Sequence, residues 1–518
     1  MTIRTAALLL SAAALAACAQ TASNAPVRAA AAPTGDQWFD GAQAALAQRK
    51  TVKPLTGRAK NVILFIADGM DPTTVAAARI YDGQTRGEEG EENLLSFERF
   101  PNLAMSKTYN TDAQTPDSAG TMSAMATGYK TRAGIISLKK EAEFGDCASA
   151  KGNEAATLVE YAETAGLATG VISTARLTHA TPAATYAHSP SRDWERDISL
   201  PDGAYEQGCR DIASQLIDFD YGDGVDVAMG GGRPNFLTED AQDPEYPDRK
   251  GARKDGRNLA AEWVAKSDRH QFVWNKEQFD AIDPAADPRV LGLFEMSHMQ
   301  YEADRANDSA GEPSLEEMTK KAIEILSRDA DGFVLVVEAG RVDHAHHDGN
   351  ASRALIDAQE FSQAIAAARA MTDERDTLIV ATADHGHTLS FAGYPLKGSP
   401  ILGLATTSGR YDRVGDGFAR ADDGKTYTTL GYANGPGALF KKGADLSKGR
   451  PEVGNDEAMS IDHLQQSLAP MGDETHGGQD VTIYASGPGA WLFTGVVEQN
   501  YIFHVIDDAL ALKARAQE

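Results

Sequence analysis

The stretch "GFVLVVEAGRVDHAHHDG", residues 332–349, opens with the apolar run Phe333, Val334, Leu335, Val336 and Val337. It then gathers Glu338, Asp343, His344, His346, His347 and Asp348. Burying that many carboxylates and imidazoles together is costly unless a cation balances them. Asp343 and His347 are four apart, so on a helical turn both project from one face toward one metal, while Glu338 at the strand end points elsewhere. A mixed carboxylate and imidazole set suits zinc, and an all-oxygen set suits magnesium. The cluster therefore predicts two kinds of cation. Six of the 12 histidines fall in three short motifs: this one, "TADHGH" with His385 and His387, and "ETHGGQD" with His476. Scattered histidines are usually structural or surface groups, whereas grouped ones read as ligands.

A second chemical stretch is "TPDSAGTMSAMATG", residues 115–128. The small residues after Ser118 predict a helix with Asp117 and Ser118 at its start, where either could serve as a plain cap. A helix N-terminus also favours anions, and a serine hydroxyl beside bound zinc can ionise and attack. With the metal clusters present, Ser118 reads as a nucleophile.

These groups need elements to hold them. Apolar runs at 61–67, 169–173, 225–229, 333–337, 378–382 and 481–485 are each followed by a polar, glycine-containing turn. Continuous hydrophobicity marks strands covered on both faces. Helix-like stretches lie between them, at 315–327 and 351–371 among others. The expected fold is α/β: a three-layer sandwich with a mainly parallel central sheet flanked by helices. Ligands in such sheets collect beyond the carboxyl ends of the strands. Asp68, Glu338 with Asp343, and Asp384 with His385 all follow such runs. Two regions depart from the layered pattern. Residues 232–262 are charged and read as a surface excursion, and 389–475, rich in Gly, Lys and Asp, read as an inserted, crown-like subdomain.

The chain has 518 residues, enough for one large domain with insertions, and its net charge of −26 argues against a surface that coats nucleic acid. Arg4 followed by the apolar stretch 6–17 reads as a signal peptide, 1–17. "LAAC", ending at Cys18, resembles a bacterial lipobox; an ordinary secretory signal is the alternative. Residues 18–36 then form a lipidated cysteine and flexible tether, and 37–518 the catalytic domain. The expected location is periplasmic or cell-surface, anchored to the outer membrane by lipid alone. Cys147 and Cys209 are the only other cysteines and, in an exported chain, candidates for a disulfide.

"FIADGM", "TPDSAGT", "THATPAA", "SRDW", "VEAGRVDHAHHDG", "TADHGH" and "ETHGGQD" occur in the order and approximate spacing of the alkaline phosphatase family, which the chain resembles from about Lys60 to Leu512. The resemblance implies hydrolysis of phosphate monoesters through a phosphoserine on Ser118, with two zinc ions and one magnesium. On matching positions, Asp343, His347 and His476 resemble the ligands of one zinc, and Asp68, Asp384 and His385 those of the second. Asp68 would bridge to a magnesium held also by Thr181 and Glu338. Arg192 resembles the arginine that clamps the phosphoryl group, and Asp117, next to Ser118, resembles a phosphate-binding or supporting residue. His179 and His344 match animal-type members, where some bacterial relatives carry Asp and Lys. The segment 293–305 resembles one that supplies a calcium ligand in animal-type members, which makes Glu295 a candidate. Animal-type relatives also have a disulfide at what look like the positions of Cys147 and Cys209. Family members are often dimers, so a homodimer is an open expectation. Asp71 stands where the family usually has glycine, so the first turn is expected to differ. His346 and His387 match family motifs, as supporting or surface residues. The rival readings are a phosphodiesterase or sulfatase of the same superfamily, and a non-catalytic surface lipoprotein that binds zinc or phosphate.

Overall fold

A computed structural model describes residues 34–408, 413–415, 417–438, 447 and 449–517. The expected signal and Cys18 lie outside the described residues. The chain divides into two compact units, 1–53 and 54–518. In the first, helix α1 (Gln37–Arg49) starts on Asp36, whose side chain caps Phe39 N. It has no buried residue.

The second unit is built on a ten-stranded sheet. Its first eight strands in the chain are β1 (Asn61–Ala67), β2 (Asn102–Lys107), β3 (Ala168–Arg176), β4 (Val227–Gly231), β5 (His270–Val273), β6 (Arg289–Leu293), β7 (Phe333–Ala339) and β8 (Thr377–Thr382). Seven neighbours run parallel in the order β8-β1-β7-β3-β4-β6-β5. Beyond β8, the strand Val481–Ser486 runs antiparallel to both β8 and β2, and Val496–Glu498 pairs parallel with β2 at the edge. The mainly parallel sheet expected from the apolar runs is therefore present.

Alternation along β1 shows why its sequence is continuously apolar. Val62, Leu64 and Ile66 enter one core, and Ile63, Phe65 and Ala67 enter the other. Helix α2 (Pro72–Thr85) and the helices Leu315–Leu326 and Ala351–Met371 cover the second face. Helix α3 (Ser118–Thr127) and Tyr501–Leu510 contribute to the first. The Leu315–Leu326 helix starts in a capping box between Ser314 and Glu317 and buries Leu315, Met318, Ala322, Ile323, Ile325 and Leu326. Among the described residues, no helix is long and apolar enough to cross a membrane.

Three local expectations meet particular outcomes. Asp71 replaces a flexible glycine with a cap: its carboxylate accepts from Thr74 N at 2.8 Å and starts α2. Residues 232–262 are not a mere surface excursion, because Arg233 and Arg253 are fully buried within it. Arg253 pairs with Asp211 at 2.8 Å and with Asp255, and Arg233 pairs with Asp243 at 3.0 Å. Within 389–475, the strands Leu389–Phe391, Leu430–Gly435 and Ser467–Pro470 form a separate three-stranded sheet.

Candidate active site and metal centre

The chemical residues sit where parallel strands end. Asp68 follows β1, and Asp384 and His385 follow β8 by two and three residues. Glu338 lies in β7 between Ile66 of β1 and Ser173 of β3, and Ser173 donates its hydroxyl to Glu338 Oε2. The chain then turns directly into the helix Arg341–His347, which carries Asp343, His344 and His347. His179 and Thr181 lie at the short helix Ala180–Ala183 after β3.

Ser118 is the first residue of α3, and Asp117 is its cap, accepting from Ala119 N at 3.1 Å. That division of labour frees the serine hydroxyl from capping. Its Oγ lies 3.0 Å from His385 Nε2 and 3.5 Å from Asp68 Oδ1. Asp117 also accepts from Gly134 N at 2.7 Å and from Arg192 Nη1. Burial alone would raise the Asp117 pKa, but Arg192 and the Gly134 N–H outweigh it and hold it below the usual carboxylate range. Arg192 Nη2 reaches His179 Nε2 at 3.0 Å.

His347 Nε2 and His476 Nε2 face each other at 3.0 Å, each 3.4 Å from Asp343 Oδ1. The other ring nitrogens settle the tautomers: His347 Nδ1 donates to the Glu474 carbonyl at 2.5 Å and His476 Nδ1 to the Pro116 carbonyl at 2.8 Å. In the neutral rings, two lone pairs and a carboxylate thus converge on one point. Such a convergence repels itself unless a cation occupies it. Asp343, His347, His387 and His476 form one group able to hold a metal; Asp68, Asp343 and His385 form another; Asp68, His179 and Glu338 form a third.

The donor set fits divalent cations. Asp68 Oδ2, Glu338 Oε1, Thr181 Oγ1, His179 Nδ1 and His385 Nδ1 are buried without a hydrogen-bond partner. Burial, reinforced by Asp384, Asp343 and Glu338, pushes Asp68 well above the ordinary carboxylate range, and burial lifts Glu338 to about 7. Asp384 stands slightly apart. Its Oδ1 accepts from Gly69 N at 3.1 Å and His385 N at 2.9 Å, and its Oδ2 from Thr121 Oγ1 at 3.0 Å, while Oδ2 remains 3.4 Å from His385 Nε2.

A model of the alkaline phosphatase family matches residues 59–512. The chain belongs to the alkaline phosphatase family. It is 42% identical over 475 residues to alkaline phosphatase from Gadus morhua, covering 90% of this chain and 95% of that one. It is 43% identical over 484 residues to the tissue-nonspecific isozyme of Mus musculus, covering 92% and 88%. The solved alkaline phosphatase of Thermus thermophilus shares the fold, with a TM-score of 0.61 at 24% identity over 93% of this chain and 96% of that one. The protein is accordingly a phosphomonoesterase.

The structure decides between the two roles open for His346 and His387 and adds His298, which the sequence did not single out. His346 and His387 are fully buried, as supporting rather than surface residues would be. His346 sits between Thr74 Oγ1 at 3.1 Å and the Tyr432 hydroxyl at 2.8 Å. His387 spans Asp343 Oδ1 at 2.8 Å and Glu474 Oε2 at 2.5 Å. Burial would lower its pKa, but those two carboxylates raise it to about 10. His298 lies against His344, ring centroids 3.9 Å apart, with Arg176 Nη1 on its Nε2 at 2.6 Å. Only pairing across long sequence separations reveals these roles. Glu295 joins Glu245 and Asp308 in a separate acidic group, and Cys147 and Cys209 form a disulfide.

Proposed function

We propose that the protein hydrolyses phosphate monoesters by way of a phosphoserine on Ser118. The observation that carries this reading is Ser118 Oγ at the start of α3, 3.0 Å from His385 Nε2 and 3.5 Å from Asp68, which with Glu338 leaves a buried carboxylate oxygen unpartnered. Asp343, His347 and His476 would hold one zinc, Asp68, Asp384 and His385 a second, and Asp68, Thr181 and Glu338 a magnesium. Bound there, these ions supply Lewis acidity that favours the serine alkoxide, the departing alkoxide and the water that follows.

The chain's own residues do the rest. Ser118 Oγ attacks phosphorus as the P–O bond to the alcohol breaks, and water later breaks the phosphoserine bond to release inorganic phosphate. The N-terminus of α3 favours the incoming anion. Arg192 grips two non-bridging oxygens with its fork, and Asp117 sets the angle of that fork through its ion pair. His179 steadies the other guanidinium nitrogen. Glu295, Glu245 and Asp308 would hold calcium, with Arg233 Nη2 already on Glu245 Oε2 at 2.6 Å. The same reading makes 389–475 an inserted subdomain and anchors the exported enzyme through lipid on Cys18.

Purified protein should hydrolyse an aryl phosphate far faster than an aryl phosphodiester or an aryl sulfate, and lose that activity to a chelator. Ser118→Ala should leave no phosphate trapped on the chain while zinc content stays near normal. Preference for the diester or the sulfate, or trapped phosphate on another residue of Ser118→Ala, would overturn the reading.

A further inference from the structure

We propose that Glu474 is a positioning residue for the metal centre, holding the ligand His347 through its backbone and the ligand Asp343 through its carboxylate and His387. The inference rests on the metal assignment above and deepens it. Glu474 is 1% exposed, and its side chain and backbone both face the centre. Its carboxylate accepts from His387 Nδ1 at 2.5 Å with one oxygen, and from Thr388 N at 2.6 Å and the Thr388 hydroxyl with the other. The far side of the His387 ring meets Asp343 Oδ1 at 2.8 Å.

The backbone of the same residue does a second job. Glu474 O accepts from His347 Nδ1 at 2.5 Å, and Glu474 N donates to His347 O at 2.8 Å. The first bond places the hydrogen on Nδ1 and leaves Nε2 of His347 as the lone pair that faces His476. His476 follows two residues later and pairs with His387 in a short antiparallel ladder. One residue therefore ties together three segments: the helix Arg341–His347, the turn after β8, and the return of the chain from 389–475. Thr475 is fixed from the same side by Asn434, with bonds of 2.9 and 3.0 Å. The backbone carbonyl is one bond from the ligand His347, and the carboxylate reaches the ligand Asp343 through His387; supporting partners of this kind orient ligands and keep their tautomers.

The backbone bonds survive substitution, so Glu474→Ala removes only the carboxylate. It leaves His387 Nδ1 and Thr388 N without their acceptor, and His387 loses its hold on Asp343. The test measures zinc affinity by competition with a chromophoric chelator, and thermal unfolding of the metal-stripped protein. Because the carboxylate acts on Asp343 through His387, Glu474→Ala should weaken zinc binding by roughly tenfold, the lower end of what losing a supporting partner costs. Glu474→Gln, which keeps the shape and one acceptor oxygen, should recover part of that loss. The stripped Glu474→Gln protein should unfold near the wild-type temperature. His347→Ala is the control for the metal assignment itself. If His347→Ala loses zinc while Glu474→Ala and Glu474→Gln hold it within twofold of wild type, the proposal is overturned and the metal assignment stands. If His347→Ala also keeps wild-type zinc affinity, the metal assignment fails and the proposal falls with it.

Discussion

Two regions of this molecule bury charge to a similar depth and balance it differently. In the segment 232–262, Arg253 engages Asp211, Asp255 and the Asn235 carbonyl, and Arg233 engages Asp243, Glu245 and the Leu293 carbonyl. Those carboxylates meet cations supplied by the chain. At the carboxyl ends of β1 and β7, Asp68 and Glu338 are equally buried, and each leaves an oxygen without a partner. The comparison teaches that burial alone does not mark a reactive site. The informative feature is buried negative charge whose counter-charge is missing from the sequence. Glu245 is intermediate, with Arg233 on one oxygen and no partner on the other.

The strongest way to break this comparison is to remove metals from the whole protein. Exhaustive chelation should reduce aryl phosphate hydrolysis to background and lower the unfolding temperature, and zinc with magnesium should restore both. Full activity in metal-free protein, checked by elemental analysis, would erase the distinction between the two regions.

The complementary test breaks the self-paired region. Arg253→Met removes the counter-charge of buried Asp211, leaving it only the Tyr205 hydroxyl and the Ser214 N–H, and should cost about 3 to 5 kcal/mol of stability in denaturant titration. Zinc content and turnover of the folded fraction should stay near wild type. A change below about 1 kcal/mol would show that Tyr205 and the Ser214 N–H, rather than Arg253, satisfy Asp211.

A smaller effect is expected at the boundary between structure and substrate. Arg192 is paired with Asp117 through one Nη and with His179 through the other, and the proposed reading gives its fork to the phosphoryl oxygens. A charge-assisted bidentate contact is worth about 2 to 3 kcal/mol, so Arg192→Ala should lower monoester kcat/KM roughly thirty- to two-hundredfold. The phosphoserine should still form. A diester, with fewer anionic oxygens, should be hurt much less; equal losses on both substrates would assign Arg192 to structure.

How much of this was readable from sequence follows from the same contrast. β1, β7 and β8 were legible because both of their faces are covered, which writes an unbroken apolar run. β2 was not, since Leu103 is 52% exposed and Asn102 and Lys107 flank it with polarity. β6 begins with Arg289, whose burial depends on Asp223 and Asp226 far away in sequence. The carboxylates and imidazoles that the fold gathers into candidate metal-binding groups were legible because they cluster in short motifs after strands. Glu474 stood in a recognised motif and still went unassigned, because its partner His387 lies 87 residues away. Arg253 was misjudged for a related reason: composition reports charge, while pairing is tertiary.

The smallest effect sharpens the comparison by testing a charge balanced only at some pH values. His188 lies 2.7 Å from Glu160 Oε1 and 2.8 Å from the Ser137 carbonyl, away from the proposed metal ligands. Burial alone would lower its pKa, but the hydrogen bond and charge of Glu160 prevail and raise it above the ordinary histidine value. The folded protein therefore holds this proton more tightly than the unfolded chain does. The resulting stability is fully present below the unfolded value of about 6.5, and is lost as pH rises through the raised folded value. His188→Gln keeps a polar group of similar reach but cannot carry the charge. Wild type should exceed this variant by about 1 kcal/mol more at pH 5.5 than at pH 9, as expected for a partly screened charge-assisted pair. Comparing each variant with wild type at the same pH cancels the titration of the metal centre. A constant difference across that range would mean that His188 is held by packing and its neutral hydrogen bonds alone.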